Sequence, residues 1–462
     1  MTGSGELSGK ILDPISGRGS IHCMPISRRA FLASTASALI AAPAIVRGRN
    51  LNSKLNYAGI GTARKGFSDI IEMTNHKQVQ EVAFCDVDLN LTKQVRQKHP
   101  QAKIFQDYVD MFETMGDQID AVTVSTPDHT HAIISLAAMA RGKHVYCQKP
   151  LTRTVWEARQ MRSAAKKSGV ITRMGNQIHS HTAYRTAVQF FQSGALGKAK
   201  EVHSWIATTG AGRSGVYQRP TEANPVPKGL DWNLWISGSP MRPYSGPDIY
   251  HPRNWRDWQD FGGGALGDFG CHIFDPVYTA LKITGDPISV RSENVGMNDE
   301  VWPEKETVEY VVPGTGYTAG KRLKVTWYDG GRVPSERTTK LAPGQKFPKR
   351  GGSVIVCEGG NLFLPHVAAP FTNQLGIEIP KVPGLNHYHG WVDGCLSGKQ
   401  PTDSFEYGGH LTEAVQLGNV AAHFPKQTLK FNAKELKITN NAAATKLLSR
   451  EYREGFGVKP IA

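Results

Sequence analysis

A strand–turn–helix–strand pattern in the first third of the chain constrains its fold more than any other feature. An apolar run enters a turn at Gly59 and Gly61, a helical pattern follows Gly66, and a second apolar run ends at Asp86. Glycines in such a turn let the backbone approach a pyrophosphate at the helix N-terminus, and the acid can accept hydrogen bonds from ribose hydroxyls. The pattern predicts a dinucleotide-binding unit, and it favours NAD over NADP because the acid would repel a 2′-phosphate.

Two later apolar runs predict further parallel strands that end in polar residues. One ends at Ser125-Thr126-Pro127 and the next at Gln148-Lys149-Pro150, with His131 in the helical segment between them. Because the carboxyl ends of parallel strands face the ligand crevice, we expect these side chains to converge on the cofactor. The predicted cofactor contacts are Gly59, Gly61, Gly66, Asp86, Ser125, Thr126, Pro127, His131, Gln148 and Lys149.

The second half of the chain carries alternating apolar residues that predict β-strands at 288–290, 308–312, 323–327, 354–357 and 362–364. They predict an α/β protein in which a Rossmann domain precedes an α+β domain with a large, mostly antiparallel sheet. We expect the outer face of that sheet to be the interface between subunits of a homo-oligomer. The predicted domain bounds are 52–173 for the Rossmann domain, 174–440 for the substrate and oligomerisation domain, and 441–462 for a C-terminal tail.

The composition argues against two classes of function. The formal net charge is +14, but the basic residues are scattered, so no nucleic-acid partner is expected. The six cysteines include no CxxC pair, and His387 and His389 lack a carboxylate or cysteine partner at ligand spacing. No metal site is therefore expected.

The N-terminal segment has the layout of an export signal. Paired arginines at 28–29 are followed by Phe-Leu, an alanine-rich apolar stretch and small residues at 42–44. This order is typical of a twin-arginine signal, and the stretch is shorter than the roughly 20 apolar residues of a membrane span. We expect a signal over 1–46 and a periplasmic or equivalent location, with an uncleaved anchor or an ordinary amphipathic helix as alternatives. Residues 1–23 are unlike a signal's charged region, so Met24 is an alternative start.

These motifs together resemble the Gfo/Idh/MocA family of oxidoreductases. The similarity takes in the glycine turn, the strand-end acid, Ser-Thr-Pro with a following histidine, the strand-end Lys-Pro, Gly175-Asn176-Gln177, a glycine-rich run before Asp268 and His272, and Leu411-Thr412-Glu413-Ala414. It covers roughly 54–440. Two positions depart from the family pattern: Gln148 replaces the usual glutamate of Glu-Lys-Pro, and Arg64 stands where the third glycine of GxGxxG would fall.

The resemblance implies hydride transfer between a sugar carbon and C4 of a nicotinamide. His272 is then the predicted general base for the hydroxyl proton, and Lys149 is predicted to hydrogen-bond the same oxygen. Asp268, four residues before His272 and so on the same helix face, is predicted to bind a neighbouring hydroxyl or to hold His272. Asn176 joins the predicted cofactor contacts. The predicted substrate contacts are Trp255, Arg256, Asp268, His272 and His387.

Three functions are compatible with the sequence. The first is an NAD(P)-dependent oxidoreductase acting on a hydroxyl of a sugar, polyol or glycoside. The second is an NAD-dependent, redox-neutral glycosidase, and the third is a non-catalytic exported sugar-binding protein. Lys149, Asp268 and His272 together favour an enzyme. Because the twin-arginine route carries folded proteins, we expect tightly bound NAD, with no stable membrane span after signal processing.

Overall fold

The computed structural model describes residues 54–209 and 215–458. The predicted signal at 1–46 and the alternative start at Met24 lie outside these residues. Within them, a six-stranded sheet is followed by a nine-stranded sheet. The α/β fold class predicted from the sequence is confirmed.

Six parallel strands build the first sheet. They are β1 (Leu55–Ile60), β2 (Val79–Cys85), β3 (Lys103–Phe105), β4 (Ala121–Val124), β5 (His144–Gln148) and β6 (Thr172–Gly175). Their order, β3-β2-β1-β4-β5-β6, places β1 beside β4, where the direction of the crossovers reverses. Dinucleotide-binding sheets have this order, and their ligand crevice lies at the carboxyl ends of the strands beside that reversal. The sheet runs through residue 175, past the predicted boundary at 173.

Helices alternate with these strands, as parallel crossovers require. They are α1 (Lys65–Thr74), α2 (Lys93–Lys98), α3 (Tyr108–Met115), α4 (Asp128–Met139) and α5 (Val155–Ser168). The local sequence sets both ends of α5, since Thr154 and Glu157 form a capping box and Gly169 ends the helix in the left-handed conformation.

The second sheet is mostly antiparallel, as predicted. Its strands are β7 (Ala199–Ile206), β8 (Ser289–Val295), β9 (Lys305–Pro313), β10 (Arg322–Tyr328), β11 (Gly351–Cys357), β12 (Asn361–Pro365), β13 (Phe371–Thr372), β14 (Thr428–Asn432) and β15 (Lys437–Ile438). The order is β13-β12-β11-β7-β10-β9-β8-β14-β15, and the β7–β10 pair is parallel.

Helices cover one face of this sheet. The helices of the second domain are α6 (Thr182–Gln192), α7 (Trp232–Ile236), α8 (Gly264–Leu281), α9 (Glu336–Thr339), α10 (His387–Ser397), α11 (Phe405–Ala422) and α12 (Ala442–Lys446). Of these, α6, α8 and α11 pack on the sheet. On the outer face Phe347 stacks on Trp205 with ring centroids 4.6 Å apart, so the chain itself covers part of the surface predicted to form an oligomer. Across residues 54–209 and 215–458, no helix is both long and apolar enough to cross a membrane.

A buried ion-pair cluster fastens the two domains together. Glu413 on α11 is fully buried and pairs with Arg159 and Arg162 on α5, at 2.5 and 2.8 Å. Beyond α12 the chain returns to the first domain, where Arg450 pairs with a buried glutamate of α5 at 2.7 Å. The described part of the predicted tail is therefore packed onto the fold.

Candidate active site

The glycine turn between β1 and α1 has the close backbone packing that a pyrophosphate cradle requires. Gly61 has φ +86°, and a Cβ there would lie 2.5 Å from the carbonyl oxygen of Ser125. A Cβ at Gly66 would overlap the carbonyl of Gly61, and one at Gly59 would press against α1. Arg64 precedes α1 and is exposed, so Gly66 supplies the close helix approach that a third glycine usually gives. The turn is longer than GxGxxG, but its glycines occupy the positions where a side chain would clash with the backbone or with α1.

Asp86 follows β2 directly and faces this turn. Its Oδ2 accepts hydrogen bonds from the backbone nitrogen and the hydroxyl of Thr62 at 2.8 and 3.0 Å, and its Oδ1 accepts one from the Asp88 nitrogen at 3.0 Å. Burial raises the pKa of Asp86. The carboxylate therefore lies between the turn and the loop after β2, where the ribose of a dinucleotide binds in this fold.

His131 is buried and ties two strand ends to each other. Its Nε2 donates to the carbonyl of Thr126 after β4, and its Nδ1 donates to the carbonyl of Pro150 after β5, both at 2.8 Å. Although burial alone would lower it, Cys147 and these acceptors raise the pKa of His131 above its ordinary value. Two carbonyl partners are both satisfied only when both ring nitrogens carry a proton, so these contacts favour the imidazolium and position the two strand ends.

We expect His131→Leu to lower the free energy of unfolding by about 2–4 kcal/mol, because two buried carbonyls lose their donors. A raised folded-state pKa stabilises the protein fully below the unfolded pKa of about 6.5, and this stabilisation is lost as pH rises through the folded value. The difference between wild type and variant in urea unfolding is therefore expected to be largest near pH 6 and to shrink at alkaline pH. A difference that did not change with pH would mean that the wild-type ring is neutral.

Lys149 and Asp268 join the two domains at the predicted cleft. Lys149 follows β5, and its Nζ donates to Oδ1 of Asp268 at 2.8 Å and to the Asp268 carbonyl at 2.5 Å. Arg256 Nε donates to the same Oδ1 at 3.2 Å. Asp128, the first residue of α4, lies within electrostatic reach of all three, and burial raises its pKa to about 7. Asp268 is thus held by two cations, while the structure gives His272 a different partner.

His272 lies one turn after Asp268 on α8 and is 9% exposed. Its Nδ1 donates to Oδ1 of Asn176, whose Nδ2 donates to the Cys271 carbonyl at 3.1 Å. Burial, followed by Lys149 and His366, holds the pKa of His272 well below its ordinary value. The ring is therefore neutral with its proton on Nδ1, and Nε2 has no hydrogen-bond partner among the described residues. A general base needs this protonation state and this tautomer.

We expect Asn176→Asp to move the acid limb of the kcat/KM profile to higher pH. A carboxylate at Nδ1 favours the imidazolium, so it raises the pKa of His272 and leaves less of the neutral base at a given acidic pH. The measurement is the pH dependence of kcat/KM for both proteins. An unchanged acid limb would show that Asn176 does not act on the base.

The other predicted cofactor contacts lie at the ends of β4 and β5. Ser125 Oγ and Gln148 Nε2 each donate to Asp69 at 2.8 Å. Thr126 accepts a hydrogen bond from the Thr130 hydroxyl at 2.7 Å. Pro127 directly precedes α4 and is its N-cap residue, in extended backbone. These residues do gather at one edge of the sheet.

The two remaining predicted substrate contacts have different surroundings. Trp255 is buried in an aromatic cluster, and the Arg256 guanidinium lies over its ring, 4.1 Å from the ring centre. This cation–π contact helps to hold Arg256 in position. His387 is not brought to the cleft side chains: it is 3% exposed, accepts from the Ser180 hydroxyl at 3.1 Å and donates to the Met174 carbonyl at 3.3 Å. Burial lowers its pKa to about 3, which fits a structural imidazole.

Three residues of this region were missed by the sequence argument. Asp69 is an acid at a buried position of α1, Asp128 directly follows the Ser-Thr-Pro segment, and the ring centroid of His366 lies 6.0 Å from that of His272. An acid on the apolar face of a helix is a usable signal, and so is an acid at a strand end. His366 carries no such signal, because its position depends on the second sheet. No cluster of three or more His, Cys, Asp or Glu suited to a metal ion occurs in the described ranges.

Two family models match this chain. The model of the Gfo/Idh/MocA oxidoreductase family with an NAD-binding Rossmann fold matches residues 55–176, and the model of that family's C-terminal alpha/beta domain matches residues 187–310. The two matched segments follow the two sheets in order and together cover more than half of the chain.

Similar proteins include sugar-related enzymes. A levoglucosan dehydrogenase of Pseudarthrobacter phenanthrenivorans is 29% identical over 158 residues, 34% of this chain and 32% of that protein. A glycosyl hydrolase family 109 protein of Shewanella putrefaciens is 30% identical over 118 residues, 24% of this chain and 25% of that protein. The chain spans about a quarter to two thirds of the length of the curated relatives that it matches.

A solved structure extends the likeness to the whole fold. The WlbA dehydrogenase of Bordetella pertussis, in complex with NADH and UDP-GlcNAcA, is 16% identical and has a TM-score of 0.58. The superposition covers 82% of this chain and 99% of that one. At this identity the match establishes a shared architecture.

Proposed function

We propose, because this chain belongs to the Gfo/Idh/MocA family of NAD-binding oxidoreductases, that it transfers hydride between a bound nicotinamide and a hydroxyl-bearing carbon of a sugar, polyol or glycoside. The observation that carries the proposal is the neutral His272, whose Nδ1–H is donated to Asn176 while Nε2 is left without a partner in the described residues. It lies one turn from Asp268, which holds Lys149 at 2.8 Å.

These side chains divide the proton chemistry among them. His272 Nε2 removes the proton of the substrate hydroxyl, and Lys149 Nζ donates a hydrogen bond to the same oxygen and stabilises its developing negative charge. Asp268 holds the Lys149 ammonium in place through two hydrogen bonds, and its remaining lone pairs can accept from a neighbouring hydroxyl. The nicotinamide, when bound, supplies the hydride acceptor or donor.

The cofactor that fits the described residues is NAD. Gly61 and Gly66 bring the backbone of the turn close to the N-terminus of α1, which suits a pyrophosphate, and the Asp86 carboxylate would repel a 2′-phosphate.

A segment of the second domain supports tight binding of that cofactor. The segment is fastened to the loop that directly follows Asp86. His251 pairs with Asp88 at 2.9 Å, and Asn90 Nδ2 donates to the Lys228 carbonyl at 2.9 Å. These contacts lie beside the position expected for the adenosine ribose, and we infer that they slow release of the dinucleotide.

Export through the twin-arginine route is part of the proposal, since that route carries folded proteins with their cofactors in place. Peptide mass spectrometry of the protein isolated from the periplasm tests it. We expect an N-terminus close to residue 45, whereas peptides from residues 1–23 would count against both the signal and the start at Met24.

The deciding experiment measures nucleotide content and turnover on the same protein. Purified protein is denatured and the released nucleotide is identified by mass spectrometry; intact protein is then assayed on sugars, polyols and aryl glycosides. Net change in reduced-nicotinamide absorbance or a coupled sugar product supports the oxidoreductase. Release of the aglycone without accumulation of NADH supports the redox-neutral glycosidase. The similarity to a glycosyl hydrolase family 109 protein is the reason to test this alternative. Protein that binds no nucleotide would contradict both and leave a sugar-binding protein.

A further inference from the structure

The Asp69 carboxylate is a buried hub at the cofactor edge of the first sheet. It lies on α1 one turn after the glycine turn, and its side chain is 0% exposed. Oδ2 accepts from Ser125 Oγ and from Gln148 Nε2, each at 2.8 Å, and Oδ1 pairs with Lys65 Nζ. Three donors from three segments satisfy a charge that would be costly to bury alone.

This carboxylate fixes the orientation of the Gln148 amide. An amide can present either NH2 or oxygen, but a carboxylate accepts and cannot donate, so Nε2 of Gln148 must face Asp69. The Gln148 side chain also packs closely on Gly175, where a Cβ would lie 2.7 Å from Nε2 and 2.9 Å from Cα of Gln148. The amide is held between Asp69 and the backbone of β6. A glutamate at position 148 would place two carboxylates within hydrogen-bond distance of each other.

The same hub connects several elements of the cofactor edge. Lys65 opens α1, and its Nζ also donates to the Tyr388 hydroxyl of α10 at 2.7 Å. Ser125 follows β4 and is the residue whose carbonyl packs on Gly61. Gln148 ends β5 and directly precedes Lys149. The glycine turn, two strand ends and a helix of the second domain therefore share one charged centre.

We propose that Asp69 and Gln148 form a complementary pair that positions the cofactor edge, and that Asp69 is the reason residue 148 is an amide where the family pattern has a glutamate. Asp69 is a positioning residue: it acts on the dinucleotide site through Ser125, Gln148 and Lys65. The inference rests on the proposed function in one respect, that this edge binds NAD.

Three variants of the full chain test the pair against wild type: Asp69→Asn, Gln148→Glu and the double variant. NADH affinity is measured by fluorescence, and thermal stability is measured without nucleotide. We expect each single variant to bind NADH about tenfold or more weakly, since one leaves Lys65 without its counter-charge and the other opposes two carboxylates. In the double variant the amide introduced on α1 can donate to the carboxylate introduced at the end of β5, so both affinity and melting temperature recover.

The matched control is Asp120→Asn, which neutralises a carboxylate at the amino end of β4, where Oδ2 accepts from the Asn56 nitrogen at 2.9 Å. It is expected to bind NADH as wild type does. Recovery of affinity in the double variant supports the pair. Gln148→Glu with wild-type affinity and melting temperature would overturn it, and so would variants that differ in melting temperature alone. If wild type binds no NADH, the proposed function fails. The pairing is then tested by melting temperature alone, and a Gln148→Glu variant that melts at the wild-type temperature would overturn it.

Discussion

His272→Asn is expected to lose about two to four orders of magnitude in kcat while it binds NAD as wild type does. Asparagine can still accept a hydrogen bond from a substrate hydroxyl, but it cannot hold the proton that leaves that hydroxyl. The glycine turn and Asp86, which we propose bind the pyrophosphate and the adenosine ribose, lie in the first domain and are not touched by this change, so nucleotide affinity is expected to be retained. Single-turnover rates and NADH affinity measured on one preparation separate the two effects.

The pH profile gives a second test of the same residue. Burial, Lys149 and His366 hold the pKa of His272 well below its ordinary value, so the base is neutral at pH 6.5 and above. We expect kcat/KM of wild type to be flat through pH 6.5 and to fall only in more acidic solution, where the imidazolium forms. A profile that rises through pH 6.5 would contradict this assignment.

His366→Asn is the matched control for His272. Its ring lies 6.0 Å from that of His272, and its Nδ1 is bonded to the Tyr184 hydroxyl at 2.8 Å. We expect a loss of less than about tenfold in kcat, because His366 affects the proton acceptor only through its field. If both variants lost kcat to the same extent, His272 could not be assigned as the general base on this evidence.

The glycine turn and the strand ends can be predicted from the sequence because their positions depend on local chemistry. The turn itself requires a left-handed residue such as Gly61, and the carboxyl ends of neighbouring parallel strands meet at one edge whatever the side chains do. The spacing of Asp268 and His272 has the same property, since residues four apart on a helix share a face. These are consequences of backbone geometry.

Side-chain partners could not be predicted, because they depend on which residues the fold brings together across long sequence separations. Asn176 and His272 are 96 positions apart in the chain, and their hydrogen bond exists only after β6 and α8 pack. The departure at Arg64 is a milder case: Gly66, two residues later, supplies the close helix approach because the turn is longer. His387 shows the same dependence, since the sequence does not indicate that the side chain of Ser180 and the carbonyl of Met174 engage both of its ring nitrogens.

Lys149→Met is expected to lower kcat/KM by about two to three orders of magnitude, because the substrate oxygen loses the cation that stabilises its developing charge. Methionine keeps the volume of the side chain, and Arg256 still holds Asp268 at 3.2 Å, so the fold and the nucleotide site are expected to be intact. Lys54→Met, which removes an exposed lysine bonded to Gln80, is the control for loss of a positive charge.

The comparison of Lys149→Met with His272→Asn decides between two assignments of the proton. If both variants lose activity and only Lys149→Met keeps an acid limb below pH 6.5, His272 is the base and Lys149 the electrostatic partner. If His272→Asn retained full activity while Lys149→Met abolished it, the roles would be exchanged. An amine next to Asp268 would then have to give up its proton before catalysis, and Asp128, which lies within electrostatic reach of Lys149 and whose pKa burial raises to about 7, would be the group expected to receive it.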